Sequence, residues 1–318
     1  MNYRRLGKSG IKVSEISLGS WRTFGGEIDQ ETTEACMVAA YDAGVNFFDG
    51  AEVYAGGAAE DAMGKVFRKH DWPRDSLVIS SKVLWAGDGP NQHGLSRKHL
   101  VEACDAALQR LGLDYLDLFF CHWPDPDTPL EETVETMDQL IQRGKILYWG
   151  TSNYTGAELM QAYGIAEAHN FVPPTMDQVC YNMFKRDLLE ENLKRPIEKK
   201  GLGTTVFSPM AIGVLSGKYN DGFADDGHYS RATPEKRENS GYLSADQLGQ
   251  SRALGKLAAE LGISQANLAL AWCLKNPAVS TVLTGASRPE QVLENVKSVD
   301  AVALLDTEVM ERIEKILK

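Results

Sequence analysis

The sequence predicts an α/β protein, a closed (β/α)8 barrel, on three observations. Short apolar runs rich in β-branched and aromatic residues alternate with longer stretches of helical periodicity to the end of the chain. Eight such runs occur, at 16–20, 46–49, 77–82, 115–122, 146–152, 175–180, 203–208 and 280–285. The length, 318 residues, is one that barrels of alternating strands and helices often reach, so 1–318 is expected to be a single domain. Alternation implies parallel strands and right-handed crossovers. Eight strands suit closure; an open doubly wound sheet is the alternative.

The elements follow in order. Residues 3–14 alternate apolar and polar around Lys8-Ser9-Gly10, predicting a β-hairpin before the first barrel strand. A helix over 32–43 sets Ala35, Val38, Ala39 and Ala43 at helical spacing and stops at Gly44. The helix over 96–111 opens with Ser96 as a hydroxyl cap and keeps Leu100, Ala103, Ala107, Leu108 and Leu111 on one face before Gly112. A third, 129–143, has Pro129 in its first turn, carries Glu131 and Glu132 at the positive end of the dipole, and closes at Gly144. The helix over 264–275, with Leu268, Leu270, Ala271 and Leu274, reads as core. Only 219–250 breaks the alternation, being polar, charged and too long for an ordinary connection. It predicts a lid over a bound ligand, with a disordered surface insertion as the alternative.

Composition narrows the functional classes. A net charge of −11 argues against a sequence-independent grip on nucleic acid, which needs a basic face. Five cysteines, scattered and without metal-type spacing, read as reduced thiols, and no metal site is expected. No apolar stretch follows the N-terminal charges and none approaches the length of a membrane span. A soluble, cytoplasmic protein without membrane insertion is the expectation.

The chemistry gathers where strands end. The run at 46–49 stops in Asp49 with Tyr54 five residues on, and the next two strands stop at Lys82 and His122. In a barrel these ends share one rim. An ammonium beside a phenol favours the phenolate and would lower the tyrosine's pKa, and a carboxylate would keep that lysine charged. Asp49, Lys82 and Tyr54 thus form a proton donor, with His122 to orient a substrate oxygen or relay the proton. Schiff-base chemistry at Lys82 is a second reading, which needs a neutral amine that Asp49 would oppose. Trp21, Trp85, Trp123 and Phe207 lie near the rim and either line an apolar pocket or simply pack.

Neither G-x-G-x-x-G after a strand nor G-x-x-x-x-G-K-[ST] is present. The last strand runs into Gly285-Ala286-Ser287-Arg288-Pro289-Glu290, where Ser287 and Glu290 have capping-box spacing. A helix N-terminus with Arg288 would make an anion site. An ordinary capped helix with an exposed arginine would read the same.

With those residues assembled, the sequence resembles the aldo-keto reductase family, in the branch with voltage-gated potassium channel beta subunits and related bacterial reductases. The resemblance rests on LGKSGIKVSEISLGSW, FDGAEVYAGGAAE, GLSRKHL, LQRLGLDYLDLFFCHWPD, GKILYWGTSNY, FSPMAIGVLSGKY and LTGASRPEQVLENV, and spans nearly the whole chain. It implies a TIM barrel with a cofactor-covering loop that reduces carbonyls with NADP(H), its catalytic residues matching Asp49, Tyr54, Lys82 and His122. It further implies Ser152, Asn153 and Gln178 at the nicotinamide amide, near Gly19, Ser20, Trp21 and Asp49. Phe207, Ser208, Pro209, Met210, Ala211 and Lys218 would follow the cofactor's middle, with Arg231 in the covering loop. Gly285, Ser287, Arg288, Gln291, Glu294 and Asn295 would hold the adenosine end, Ser287 and Arg288 favouring the 2′-phosphate of NADP. Trp21, Tyr54, Trp85, His122 and Trp123 would meet a small carbonyl substrate. A homotetramer or docking to a membrane protein belongs to the same resemblance.

The chain departs from the branch at three positions. Phe207 stands where the channel subunits carry the tryptophan that stacks on the nicotinamide, and still offers an aromatic face. His122 stands where they carry asparagine, which leans the chain toward turnover. Gly50 replaces the usual threonine after the catalytic aspartate, without a functional account. The pore-blocking N-terminal extension of some channel subunits is not expected here.

Overall fold

Eight parallel strands close into a barrel, each hydrogen-bonded to the next in chain order and the last to the first. The structure, a computed structural model, describes residues 1–223 and 228–318, Glu238 by its backbone only. The barrel strands are β3 (Ile16–Gly19), β4 (Phe47–Asp49), β5 (Val78–Val83), β6 (Leu116–Cys121), β7 (Ile146–Ser152), β8 (Met176–Cys180), β9 (Gly203–Phe207) and β10 (Thr281–Thr284). Each falls where an apolar run predicted it, and closure excludes the open sheet. Such strands are covered by helices outside and by one another inside, which is why they read as continuous apolar runs.

The predicted hairpin is present as β1 (Tyr3–Arg5) and β2 (Lys12–Ser14), paired antiparallel. It closes the amino end of the barrel: the Lys8 amide donates to the Gly201 carbonyl just before β9. Leu6 and Val13 pack there with Phe47, Val78, Leu118 and Phe120. The opposite rim is left open for chemistry.

Helix boundaries show what local reading missed. The first helix spans Gln30–Asp42, two residues ahead of expectation, because Asp29 is the N-cap and accepts from the Thr32 amide at 2.8 Å. Ser96 caps Arg97–Leu111 as expected, and Gly112 ends it in a left-handed conformation. Pro129 is the N-cap of Leu130–Gln142 rather than part of its first turn. The 219–250 segment is neither a plain loop nor a structureless insertion where it is described. A short helix, Pro234–Glu238, lies within it, a long one, Ala245–Glu260, begins before it ends, and Tyr229 and Tyr242 are buried. Residues 224–227 of the expected lid lie outside the described residues. No single described helix is long and apolar enough to cross a membrane.

Candidate active site

Register brings the strand ends into one rim: Asp49 pairs with Ser80 on β5, Lys82 with Phe120 on β6, and Ser152 with Gln178 on β8. The Lys82 side chain has no exposed surface. Its Nζ donates to Asp49 Oδ2 at 2.6 Å, to the Gly50 carbonyl at 2.8 Å and to Tyr54 Oη at 3.1 Å, which satisfies all three ammonium hydrogens. Asp49 Oδ1 accepts from Ser80 Oγ at 2.7 Å and from Gln178 Nε2 at 3.1 Å. Both charges of this buried pair are therefore fully hydrogen-bonded, the condition under which such a pair is tolerated.

The electrostatics correct one expectation. Burial is the largest influence on Tyr54 and raises its pKa; Lys82 pulls it down, Asp49 pushes it up, and the net direction is up. The ammonium was expected to bring the phenol below its ordinary value, but the loss of hydration outweighs it. Burial opposes the charge on Lys82 most strongly, yet Asp49 and Tyr54 together raise its pKa. A charged, triply bonded Lys82 opposes the Schiff-base reading, which requires a free amine. His122 is held down to about 3 by burial and then by Lys82, so its imidazole is neutral. Its ring meets Tyr54 edge-on at 5.7 Å and lies 5.0 Å from Trp85, and Nδ1 is buried without a hydrogen-bond partner among the described residues.

These groups open onto a cavity of about 900 Å³. Trp21, Trp85, His122 and Trp123 form the wall beside Tyr54, and Trp21 and Trp123 are nearly half exposed. Gly19, Asp49, Ser152, Asn153, Gln178 and Phe207 continue it. Beyond them come Ser208, Pro209, Met210 and Lys218, and the cavity runs on to Gly285, Ser287, Arg288, Gln291, Glu294 and Asn295. Three positions expected to hold the cofactor are not on the wall, and neither is fully buried Lys82. Ser20 is fully buried and instead grips Asp49, its amide and Oγ both donating to the Asp49 carbonyl at 3.0 and 2.9 Å. Ala211 is buried inside the turn after β9. Arg231 is more than half exposed, with Nη1 3.7 Å from Glu27, which does line the cavity.

Several wall residues were not foreseen. Arg22 lies over the Trp21 ring and contacts His228 of the covering segment. Its place directly after a strand-end tryptophan was the available signal. Backbone strain marks the same region. Among non-glycine residues with left-handed backbone, Asp71 and Asn170 end helices, whereas Arg22, Asn153, Ser208 and Ile212 line the cavity. Such conformations persist where surrounding structure over-determines them, often at ligand sites.

The 285–290 turn differs from the expected capping box. The helix spans Pro289–Val296 with Arg288 as its N-cap, and no side chain caps it. Proline, its φ preset for the first helical position, starts the helix one residue after the box frame required. Ser287 turns instead to Gln291, its amide and Oγ meeting Oε1 at 2.8 and 3.2 Å. The Arg288 guanidinium makes no hydrogen bond or ion pair among the described residues, although it lines the cavity beside a helix N-terminus. An unpaired fork of donors there suits a phosphate. The extended cavity thus offers amide and hydroxyl groups midway and a cation at its far end, a set that could hold an elongated ligand carrying a phosphate.

A sequence model described as the aldo/keto reductase family matches residues 15–318. The chain belongs to the aldo/keto reductase family. Membership places it among oxidoreductases in the general sense. It is similar to an Arabidopsis thaliana protein named a probable voltage-gated potassium channel subunit beta, 44% identical over 319 residues, covering 100% of this chain and 97% of the relative. It is also similar to a protein of Oryza sativa subsp. japonica with the same name, 43% identical, again over 100% and 97% of the two chains. As an aldo/keto reductase barrel it has Asp49, Tyr54 and Lys82 within direct hydrogen-bonding reach, with His122 against the phenol.

Proposed function

We propose that this protein is an NADPH-dependent oxidoreductase that reduces aldehydes or ketones to alcohols, with Tyr54 as proton donor. The observation that carries the reading is the buried Lys82 ammonium bonded to both Asp49 and the Tyr54 phenol, which line a cavity whose far end presents Arg288, unpaired among the described residues. When bound, the dihydronicotinamide supplies hydride to the carbonyl carbon. Tyr54 Oη holds the proton that the carbonyl oxygen needs, and its raised pKa keeps that proton in place in the resting site. As the proton leaves, negative charge grows on Oη, 3.1 Å from a fixed cation. That charge is favoured in the transition state more than in the ground state, which is the condition for acceleration. Neutral His122 orients the carbonyl as a hydrogen-bond donor. Gln178 commits Nε2 to Asp49, leaving Oε1 to accept from a carboxamide held also by Ser152 and Asn153. Phe207 offers a ring for stacking, and Trp21, Trp85 and Trp123 shelter the reacting carbonyl from water.

The assay is NADPH oxidation at neutral pH against a panel of small aldehydes and ketones, with NADH alongside. Tyr54→Phe should lose carbonyl reduction by roughly 10²-fold or more while still binding NADPH. Unchanged turnover in this variant would remove Tyr54 as the acid. The names of the relatives favour a second reading, an auxiliary subunit that retains NADPH, turns over negligibly, and works as a homo-oligomer docked to a membrane protein. Firm NADPH binding without turnover on any carbonyl would select it.

A further inference from the structure

Behind the cavity wall, β8 carries a buried carboxylate that the proposed mechanism does not use. Side chains alternate along a strand, so Gln178 reaches Asp49 at the cavity while its neighbour Asp177 faces the other way. Asp177 has no exposed surface. Its Oδ2 accepts from Thr151 Oγ1 at 2.6 Å and from the Tyr154 amide at 3.3 Å, and Oδ1 is buried without a hydrogen-bond partner among the described residues. The turn it grips is strained, with Asn153 at a φ of 56°. That turn presents Ser152 and Asn153 to the cavity. From the inner side the Gln178 carbonyl holds it, accepting from Ser152 Oγ at 2.8 Å and the Asn153 amide at 3.1 Å. From the outer side Asp177 holds it.

We propose that Asp177 is a positioning residue whose carboxylate locks the 151–154 turn and so aims Ser152 and Asn153 at the carboxamide end of a dinucleotide. The inference rests on reading the cavity as a dinucleotide site. Charge on Asp177 is what gives the lock its strength, since hydrogen bonds to an ionised acceptor are about twice as strong as neutral ones. Burial pushes the carboxyl up to about 7, while the bonds from Thr151 Oγ1 and the Tyr154 amide, together with the nearby Asn153 amide, pull it back. Facing it are the Tyr154 phenol and Glu158 from the turn and helix after β7, and Cys121 of β6 beside Tyr154. The grip is firm when Asp177 is ionised and loosens as it takes up a proton. A neutral amide at this position grips like the protonated acid at every pH.

The test is calorimetric titration of NADPH into wild type, Asp177→Asn and Thr151→Val between pH 6 and 8.5, with melting of each ligand-free protein to establish folding. The ligand's 2′-phosphate titrates equally against all three, so ratios of Kd isolate the protein. The Asp177→Asn to wild-type ratio should be near one at pH 6 and about fivefold at pH 8. Thr151→Val, which removes one donor, should weaken binding at pH 8 in the same direction. A ratio independent of pH, or a Thr151→Val protein that binds like wild type at pH 8, overturns the role of Asp177 while leaving the dinucleotide reading intact. Absence of NADPH binding by wild type overturns that reading, and this inference with it.

Discussion

Removing both charges of the Asp49–Lys82 pair should cost less than the sum of removing each alone. Asp49→Asn keeps the shape and the acceptor for Ser80 Oγ, but leaves a fully buried ammonium without the carboxylate 2.6 Å away. Breaking a buried pair in this way costs about 3–5 kcal/mol. For a chain of this length, the specific entropy of unfolding converts that into a fall in Tm of about 5–7 °C. Lys82→Met removes the cation, strands Asp49 and releases Gly50 and Tyr54 from their donor, so a similar loss is expected. The double variant has no uncompensated charge, and its loss should fall short of the summed single losses by about 2 kcal/mol or more. Urea unfolding of the four proteins at pH 7, with midpoints and slopes compared, measures this coupling. Additivity within about 0.5 kcal/mol would show that the two groups do not act as a desolvated pair, and the electrostatic argument for Tyr54 would lose its basis.

Three further outcomes are expected. His122, held to about 3, stays neutral when folded; its stabilisation is present above the unfolded pKa of 6.5 and is lost progressively as pH falls toward 3. Urea midpoints of His122→Asn should therefore decline less than wild type between pH 6.5 and 4, and parallel curves would contradict the burial argument. Asp177 has the opposite sign. With its pKa raised to about 7, the stability of the neutral form is present below 3.8 and is lost as pH rises through about 7. Ligand-free Asp177→Asn should gain on wild type by on the order of 4 kcal/mol between pH 4 and pH 8, read from melting curves, and no pH-dependent gain would refute it. Gly64→Ala would place a Cβ 2.3 Å from the Arg110 carbonyl oxygen, where the helix Ala58–His70 crosses Arg97–Leu111. Better helix propensity recovers about 1 kcal/mol at most, so a net loss of about 2 kcal/mol is expected, and a more stable variant would show that the helices separate freely.

The legible parts of this molecule are those set by short-range pattern. All eight barrel strands lie within their predicted runs or extend one residue past them, because β-branched and aromatic residues bounded by turns leave few other options. The rim residues Asp49, Lys82 and His122 were legible because each ends an apolar run, and one rim collects such ends whatever the details of packing. Asp29 is masked as a cap in the sequence because Thr32, three residues on, itself reads as a helix start. The box that Ser287 and Glu290 spell gives way to Pro289, whose preset φ starts the helix one residue later.

Order of elements, closure into a barrel and the identity of the groups at its mouth were determined by the sequence itself, through periodicity and the residue types at strand ends. Tertiary structure alone decided the sign of the Tyr54 shift, since partner charges can be named from a sequence while desolvation is summed over every neighbour the fold supplies. It alone brought Arg22 against His228, and turned Ser20 from the cavity wall into a support for Asp49. It alone set Asp177 behind Asn153, because which face of a strand looks inward, and what waits on the other, depends on register with strands far away in the chain.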